Sequence, residues 1–233
     1  TATVPDSGPT VASRTTMVVG RVVQRAAQDL LDTLRTEIGD LDGRLSFDEL
    51  IARRRTSAPL RVRAEYKDQG AQWNRQTYQG DAYPTYGWCC VIVDLQVDLD
   101  TGEVLYDRLV QATDVGKALN PVLCSGQLEG GALQGLGYAT CEEVVLDGEN
   151  GMRNNRLTNY IIPTCLDAPT METVLVENPF YDGPFGAKGI GEIPHDVPAA
   201  AVAQAIENAT GVVMDQLPMT PERIMTALEG AST

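Results

Sequence analysis

Residues 183–192 form the stretch best suited to chemistry, a glycine-dense loop that ends in a single carboxylate, Glu192. Closely spaced glycines let the backbone adopt positive φ angles and approach a flat or phosphorylated ligand without interference from a Cβ atom. The loop is therefore the best candidate for a reacting site beside a large bound molecule. The alternative is a tight connector whose glutamate is solvated or lies near the start of the next helix, and the spacing alone leaves both open.

A second candidate is the segment 5–16, which is rich in turn residues and small hydroxyls and precedes a long helical pattern. Backbone N–H groups at this helix start, together with Ser13, Thr15 and Thr16, could receive a phosphate. Capping of the helix by a serine or threonine is the simpler alternative. The apolar spacing over 19–38 predicts one helix whose apolar stripe packs on a sheet.

A third candidate is the glycine-rich helical pattern over 124–138. Each interior glycine costs about 0.5–1 kcal/mol relative to alanine, so several together indicate a backbone pressed against a neighbour or a ligand. Gln127 on this helix could hydrogen-bond a polar ligand edge, although an ordinary surface glutamine is the alternative. The glycines concerned are Gly126, Gly130, Gly131, Gly135 and Gly137.

The remaining sequence patterns predict the helices and strands that must position these residues. A capping box at Ser46 and Glu49 predicts a short helix, and alternating apolar residues around a turn at 100–102 predict an antiparallel hairpin. We expect an α+β fold with antiparallel or mixed sheets and packed helices, as one intertwined unit over 1–233. Further strands are expected at 144–146 and 173–176, and further helices after 198 and 221.

Composition excludes several partner classes. Lys and Arg number 18 against 32 Asp and Glu, and the net charge of −14 argues against nucleic acid or an anionic membrane as partner. No stretch approaches the roughly 18 apolar residues of a spanning helix, and no signal segment opens the chain. The first residue is threonine rather than methionine, as expected for a processed product or a piece of a larger enzyme.

Five cysteines and one histidine argue against a zinc or iron–sulfur site held by this chain. The odd cysteine count also argues against a disulfide framework and favours a reducing compartment, which the cytoplasm provides. Any metal is therefore expected to arrive in an organic cofactor. The cysteines are Cys89, Cys90, Cys124, Cys141 and Cys165.

Several motifs occur in a fixed order between about Pro5 and Leu228. They lie at 7–16, 79–80 with 86–87, 114–121, 126–137, 186–192 and 217–222. Each is weak alone, but in this order they resemble the molybdenum hydroxylases, the xanthine dehydrogenase and aldehyde oxidase family. The resemblance is to the C-terminal half of the molybdopterin-binding domain.

This resemblance implies residue roles. Glu192 would be the general base beside the molybdenum, and Gln127 would contact the cofactor. The loop before Glu192 would border the cofactor, and the earlier turn would bind its pterin end. The residues so assigned to the cofactor are Ala12, Ser13, Arg14, Thr15, Gln127, Gly186, Lys188, Gly189 and Gly191.

The resemblance also implies a reaction and partners. The reaction is hydroxylation of an electron-poor carbon in an N-heterocycle, an aldehyde or a related small molecule, with water supplying the oxygen. The cofactor is a molybdopterin-type molybdenum cofactor, in a mononucleotide or cytosine dinucleotide form. Partner chains or domains would carry the first half of the molybdenum domain, [2Fe-2S] clusters and FAD. This chain alone should be inactive.

Two other classes of function compete with this interpretation. A nucleotide-binding enzyme would explain the glycines, but Lys188 and Gly189 do not form the Gly-Lys-Ser/Thr sequence of a P-loop. A non-catalytic assembly or scaffold piece is the stronger rival, because half of a site cannot turn over. The carboxylate of Glu192 argues against a scaffold, which has no need of it.

Overall fold

The computed structural model describes residues 4–67, 72–148 and 151–231. These residues fall into two compact units whose segments alternate along the chain. Unit 1 contains the residues up to Tyr86 together with Pro179–Gly189, and unit 2 contains Gly87–Asn178 and the residues from Ile190 onward. The chain thus crosses between units after residues 86, 178 and 189. The expectation that they act as one unit stays a prediction.

Unit 1 is built around the predicted long helix. A π-helical turn, Thr15–Val19, leads into helix α1, Gly20–Ile38, which ends at Gly39 in the left-handed conformation. The predicted capping box is confirmed, because the Ser46 side chain accepts from the Glu49 N–H at the start of helix α2, Phe47–Arg53. Helix α1 packs against α2 and touches the glycine loop.

The prediction that α1 packs on a sheet is wrong for unit 1. The only sheet among its described residues is a two-stranded hairpin of β1, Gln72–Asn74, and β2, Gln79–Asp81, which the sequence analysis missed. All six residues of this hairpin are exposed, so it offers no apolar face to a helix. Helix α1 packs against α2 instead, where Leu34 and Leu50 are fully buried, while Val23 of the same stripe is 62% exposed.

Unit 2 contains a three-stranded mixed sheet, which confirms the predicted α+β class. Its strands are β3, Cys89–Val97, β4, Val104–Asp114, and β5, Thr170–Val176, in the order β3-β4-β5. Strands β3 and β4 form the predicted antiparallel hairpin, whereas β4 and β5 are parallel. The connection from β4 to β5 contains helix α3, Pro121–Thr140, which the side chain of Asn120 caps.

Three further helices complete unit 2: α4, Ile193–Asp196, α5, Pro198–Thr210, and α6, Pro221–Ala231. Helices α3 and α5 cover the sheet. The buried core consists of Val93, Leu109, Ala132, Leu136, Ala139, Val202, Ile206, Met219 and Ile224. None of the described helices is long and apolar enough to cross a membrane.

The predicted strand at 144–146 is wrong. Only an isolated bridge joins Leu146 to Met152. The Asn154 side chain accepts from the Val145 N–H and donates to the Glu143 carbonyl, so it satisfies backbone groups that a ladder would otherwise pair. The turn predicted after this strand lies partly at residues 149–150, outside the described residues.

Candidate functional site

The glycine loop of unit 1 is tightly hydrogen-bonded to itself. The Phe180 N–H donates to the Gly186 carbonyl at 3.0 Å, and the Gly186 N–H donates to the Gly183 carbonyl at 3.1 Å. Gly186 has a φ of 93°, which only glycine adopts at little cost. Phe185, beside it, holds a φ of 52° and is largely exposed. The loop is therefore a fixed structure, which both the reacting-site interpretation and the tight-connector alternative allow.

Two arginines of α1 anchor this loop through one carboxylate. Asp182, only 5% exposed, accepts from Arg21 Nε at 3.3 Å and from Arg25 Nη2 at 2.6 Å. A little further on, Pro184 packs on Gly20 so closely that an added Cβ there would lie 3.1 Å from Pro184 Cγ. The loop is thus held against the first turns of α1.

The turn at Ala12 and Ser13 is strained. These residues hold positive φ angles of 50° and 53°, in a region that costs a non-glycine residue about 1–3 kcal/mol. A Cβ added at Gly189 would overlap the Ser13 carbonyl oxygen, so the end of the glycine loop lies directly on this turn. Strain of this kind commonly accumulates at ligand sites, and it marks this turn independently of the sequence motifs.

The N-cap residue of this helix start is neither a serine nor a threonine. The N-cap position before the π-helical turn is taken by Arg14, and its side chain makes no capping bond. Arg14 Nη1 instead donates to the carbonyls of Pro9 at 2.7 Å and Ser7 at 3.2 Å. Arg14 therefore closes the preceding loop, while Thr15 is exposed at the helix start.

Lys188 is a buried cation of the same loop. It is 8% exposed, and its Nζ donates to the Tyr86 carbonyl at 3.0 Å. This bond ties the glycine loop to the end of the first segment of unit 1. Like Arg14, Lys188 is placed to hold the shape of the backbone.

Glu192 lies in unit 2, at the N-cap position of the one-turn helix α4. Its own carbonyl accepts from the His195 N–H at 2.9 Å. The carbonyl of the preceding residue, Gly191, accepts from Gln127 Nε2 at 2.9 Å. One side-chain and one main-chain donor thus fix the two carbonyls, of Gly191 and Glu192, next to which the exposed carboxylate projects.

The structure brings the predicted residues together within each unit. In unit 1 Ser13 meets Gly189, and in unit 2 Gln127 meets the residue next to Glu192. The sequence analysis missed Asp182 and its two arginines. The available signal was two arginines four residues apart on one face of α1, but nothing in the local pattern names their partner.

The donors near the turn and loop suit the polar end of an organic ligand. Among the described residues, no three His, Cys, Asp or Glu side chains group together as a metal site. The turn and helix start of unit 1 present hydroxyls and backbone groups instead. Such groups at a helix start bind phosphate-like and other polar ligand ends.

Comparisons with known proteins agree with this donor set. The profile of the molybdopterin cofactor-binding domain matches residues 1–169. The chain is similar to the aldehyde oxidoreductase of Megalodesulfovibrio gigas, with 32% identity over 98% of this chain and 24% of that protein. It is also similar to the xanthine dehydrogenase molybdenum-binding subunit of Escherichia coli O157:H7, with 39% identity over 60% of this chain and 19% of the relative.

A solved structure shares the fold. The aldehyde oxidoreductase from Desulfovibrio gigas superposes with a TM-score of 0.84 at 31% identity, covering 98% of this chain and 24% of that one. The chain therefore spans about a fifth to a quarter of the length of these relatives.

Proposed function

The chain belongs to the molybdenum hydroxylase family, as a molybdopterin cofactor-binding domain, and from this premise we propose that it supplies the general base of a molybdenum-dependent oxidoreductase. The observation that carries the proposal is Glu192, a carboxylate that directly follows the glycine loop and whose backbone Gln127 fixes. In this proposal the chain is the C-terminal half of the molybdenum domain and acts only with partner chains.

Unit 1 holds the polar end of the cofactor. The hydroxyls of Ser13 and Thr15 and the backbone N–H groups at the helix start donate to it. The strained turn at Ala12 supports this assignment, because binding energy gives a reason to keep the strain. Gly186 and Gly189 allow close approach of the backbone, while Arg14 and Lys188 keep turn and loop in shape. Gln127 and Gly191 contact the cofactor from unit 2.

Glu192 handles the proton in the reaction. The molybdenum cofactor, when bound, supplies the two-electron redox chemistry. The Glu192 carboxylate accepts the proton of the water-derived oxygen as that oxygen attacks an electron-poor carbon. General-base assistance of this kind contributes about 10²–10⁴-fold. The names of the two relatives, an aldehyde oxidoreductase and a xanthine dehydrogenase subunit, support aldehydes and N-heterocycles as the substrate class.

Partner chains or domains carry the rest of the enzyme. They hold the first half of the molybdenum domain, [2Fe-2S] clusters and FAD, through which the electrons leave. The relative named as a molybdenum-binding subunit supports such an assembly. Large apolar side chains also stand exposed in unit 2, including Val122 at 80%, Leu157 at 81% and Leu166 at 92%. In this proposal the partner chains cover these side chains.

Purification of the native complex tests the proposal. We expect molybdenum, a pterin and additional chains with iron–sulfur and flavin absorbance to copurify with this chain. Metal analysis, pterin fluorescence after oxidation and mass spectrometry of the chains measure these. A stable complex that contains this chain but neither molybdenum nor pterin would favour the scaffold alternative.

Replacement of Ser13 by alanine, which tolerates its positive φ better than a β-branched residue, and of Thr15 by valine should weaken cofactor binding. Hydrogen bonds to charged groups are worth about 1.5–3 kcal/mol each, so loss of two should weaken cofactor binding by at least about 100-fold. Molybdenum and pterin content per chain measure this. The matched control is Thr33→Val with Thr36→Val, whose hydroxyls donate to carbonyls of their own helix. Equal cofactor content in both double variants would contradict the binding role.

A further inference from the structure

We infer that one face of helix α3 positions Glu192. Three residues of α3 spaced four apart, Gln127, Gly131 and Gly135, contact the segment 191–198, and we call them the α3 seam. Residues with this spacing share one face of a helix. The inference rests on the proposed role of Glu192 as the base. It states that contacts of the α3 seam determine the position of the Glu192 carboxylate.

The contacts of the seam are close. Gln127 Nε2 donates to the Gly191 carbonyl at 2.9 Å. A Cβ added at Gly131 would lie 2.5 Å from Pro194 Cγ and 2.9 Å from Pro194 Cβ. A Cβ at Gly135 would lie 2.8 Å from Pro198 Cγ and 3.0 Å from the His195 carbonyl oxygen. The helix therefore touches the segment immediately before and after Glu192.

The segment 191–198 cannot make room for an added methyl group at low energetic cost. Both prolines are buried, and their rings are rigid rather than the free end of a flexible side chain. A methyl group at Gly131 would have to displace α4, and Glu192 directly precedes α4. Glycine is unfavourable inside a helix, but at Gly131 and Gly135 it lets Pro194 and Pro198 approach the axis of α3.

The other glycines of α3 provide matched controls. A Cβ at Gly126 or Gly130 would meet nothing within 4 Å. A Cβ at Gly137 would be as crowded as one at Gly131, at 2.6 Å from Pro163 Cδ, but it would press on a different part of unit 2. Close packing alone can therefore be separated from an effect on Glu192.

The decisive variant is Gly131→Ala in the assembled protein. Benzaldehyde, quinoline and xanthine are each tested as substrate with a dye as electron acceptor, and the variant is compared with the wild type on the substrate that reacts fastest. A misplacement of about 1 Å can cost roughly 100-fold, so we expect kcat to fall about that much. We expect KM to change less than about threefold and molybdenum content to stay as in the wild type. Adding Pro194→Ala removes the nearer clashing atom, Cγ at 2.5 Å, and leaves Cβ at 2.9 Å, so it should restore part of kcat.

The controls have their own expected results. Gly130→Ala should leave kcat unchanged, because the added methyl points into open space. Gly137→Ala should lower the melting temperature without a specific loss of kcat, since it crowds Pro163 instead. If Gly137→Ala reduced kcat as much as Gly131→Ala, general destabilisation would explain both and the seam would have no positioning role.

A readout independent of turnover is hydrogen exchange at the His195 amide, which donates to the Glu192 carbonyl. Gly131→Ala should speed its exchange about tenfold, and the added Pro194→Ala should restore part of the protection. This arm tests the seam even if Glu192→Gln shows that Glu192 is not the base. Wild-type kcat with wild-type exchange in Gly131→Ala, or losses that Pro194→Ala does not reduce at all, would overturn the inference.

Discussion

Replacement of Glu192 by glutamine is expected to lower kcat by at least about 10²–10⁴-fold, because the amide keeps the size of the side chain but accepts no proton. The folded backbone should be unchanged. The bonds that fix it at this point are accepted by the main-chain carbonyls of Gly191 and Glu192, which the substitution leaves in place. Binding of substrate without turnover is therefore the expected behaviour.

The measurement compares kcat, KM and molybdenum content of the assembled protein with those of the wild type. Glu129→Gln is the matched control, since it makes the same isosteric change at an exposed position of α3. We expect this control to retain wild-type kcat. A Glu192→Gln protein with full molybdenum content and a rate within a few-fold of the wild type would remove Glu192 from the mechanism.

Local patterns were sufficient for most of the fold. The period-two alternation predicted the β3–β4 hairpin, and the capping box predicted α2. The density of glycines in α3 correctly indicated close packing, although it did not say against what. Such signals succeed because hydrogen bonding and periodicity within about ten residues determine these elements.

The parts that failed depend on partners far away in the chain. The bonds from Arg21 and Arg25 to Asp182 join residues 161 and 157 positions apart, and the bond from Gln127 to Gly191 spans 64. The apolar stripe on α1 likewise indicates that the helix packs against another element, but it does not identify that element as α2. No periodicity within a segment encodes which distant segment supplies its partner.

The candidate site was likewise predicted only in part from the sequence. The glycine loop and Glu192 were visible as a pattern, but that pattern alone left the connector alternative open. The ordered motifs, rather than the spacing, supplied the chemistry. The structure adds the strain at Ala12 and Ser13, which depends on backbone angles that side-chain identities do not reveal.

Replacement of Asp182 by alanine is the second change with a large expected effect. Removing one partner of a buried ion pair typically costs about 3–5 kcal/mol, since it leaves an uncompensated charge. Asp182 is buried, but the side chains of Arg21 and Arg25 are 25% and 27% exposed, so water can solvate them in part. We therefore expect a loss of about 2–3 kcal/mol, concentrated where the glycine loop meets α1.

Hydrogen exchange in the assembled protein locates this loss. A change of 2–3 kcal/mol corresponds to exchange roughly 30- to 160-fold faster in the amides of the loop and the first turns of α1. The control is Asp42→Ala, which breaks an exposed pair with Arg44 whose side chains are 72% and 81% exposed. Exposed pairs contribute about 0–1 kcal/mol, so that variant should keep wild-type protection.

The Asp182 variant also tests whether the loop must be held in place to bind the cofactor. If Asp182 anchors the loop to α1, Asp182→Ala should lose molybdenum and pterin together with protection, while Asp42→Ala should keep both. Loss of protection with full cofactor content would mean that the anchored geometry of the loop is not needed for binding. Wild-type protection in Asp182→Ala would show instead that the contact of Pro184 with Gly20 and the bond from Lys188 to Tyr86 hold the loop without the ion pairs.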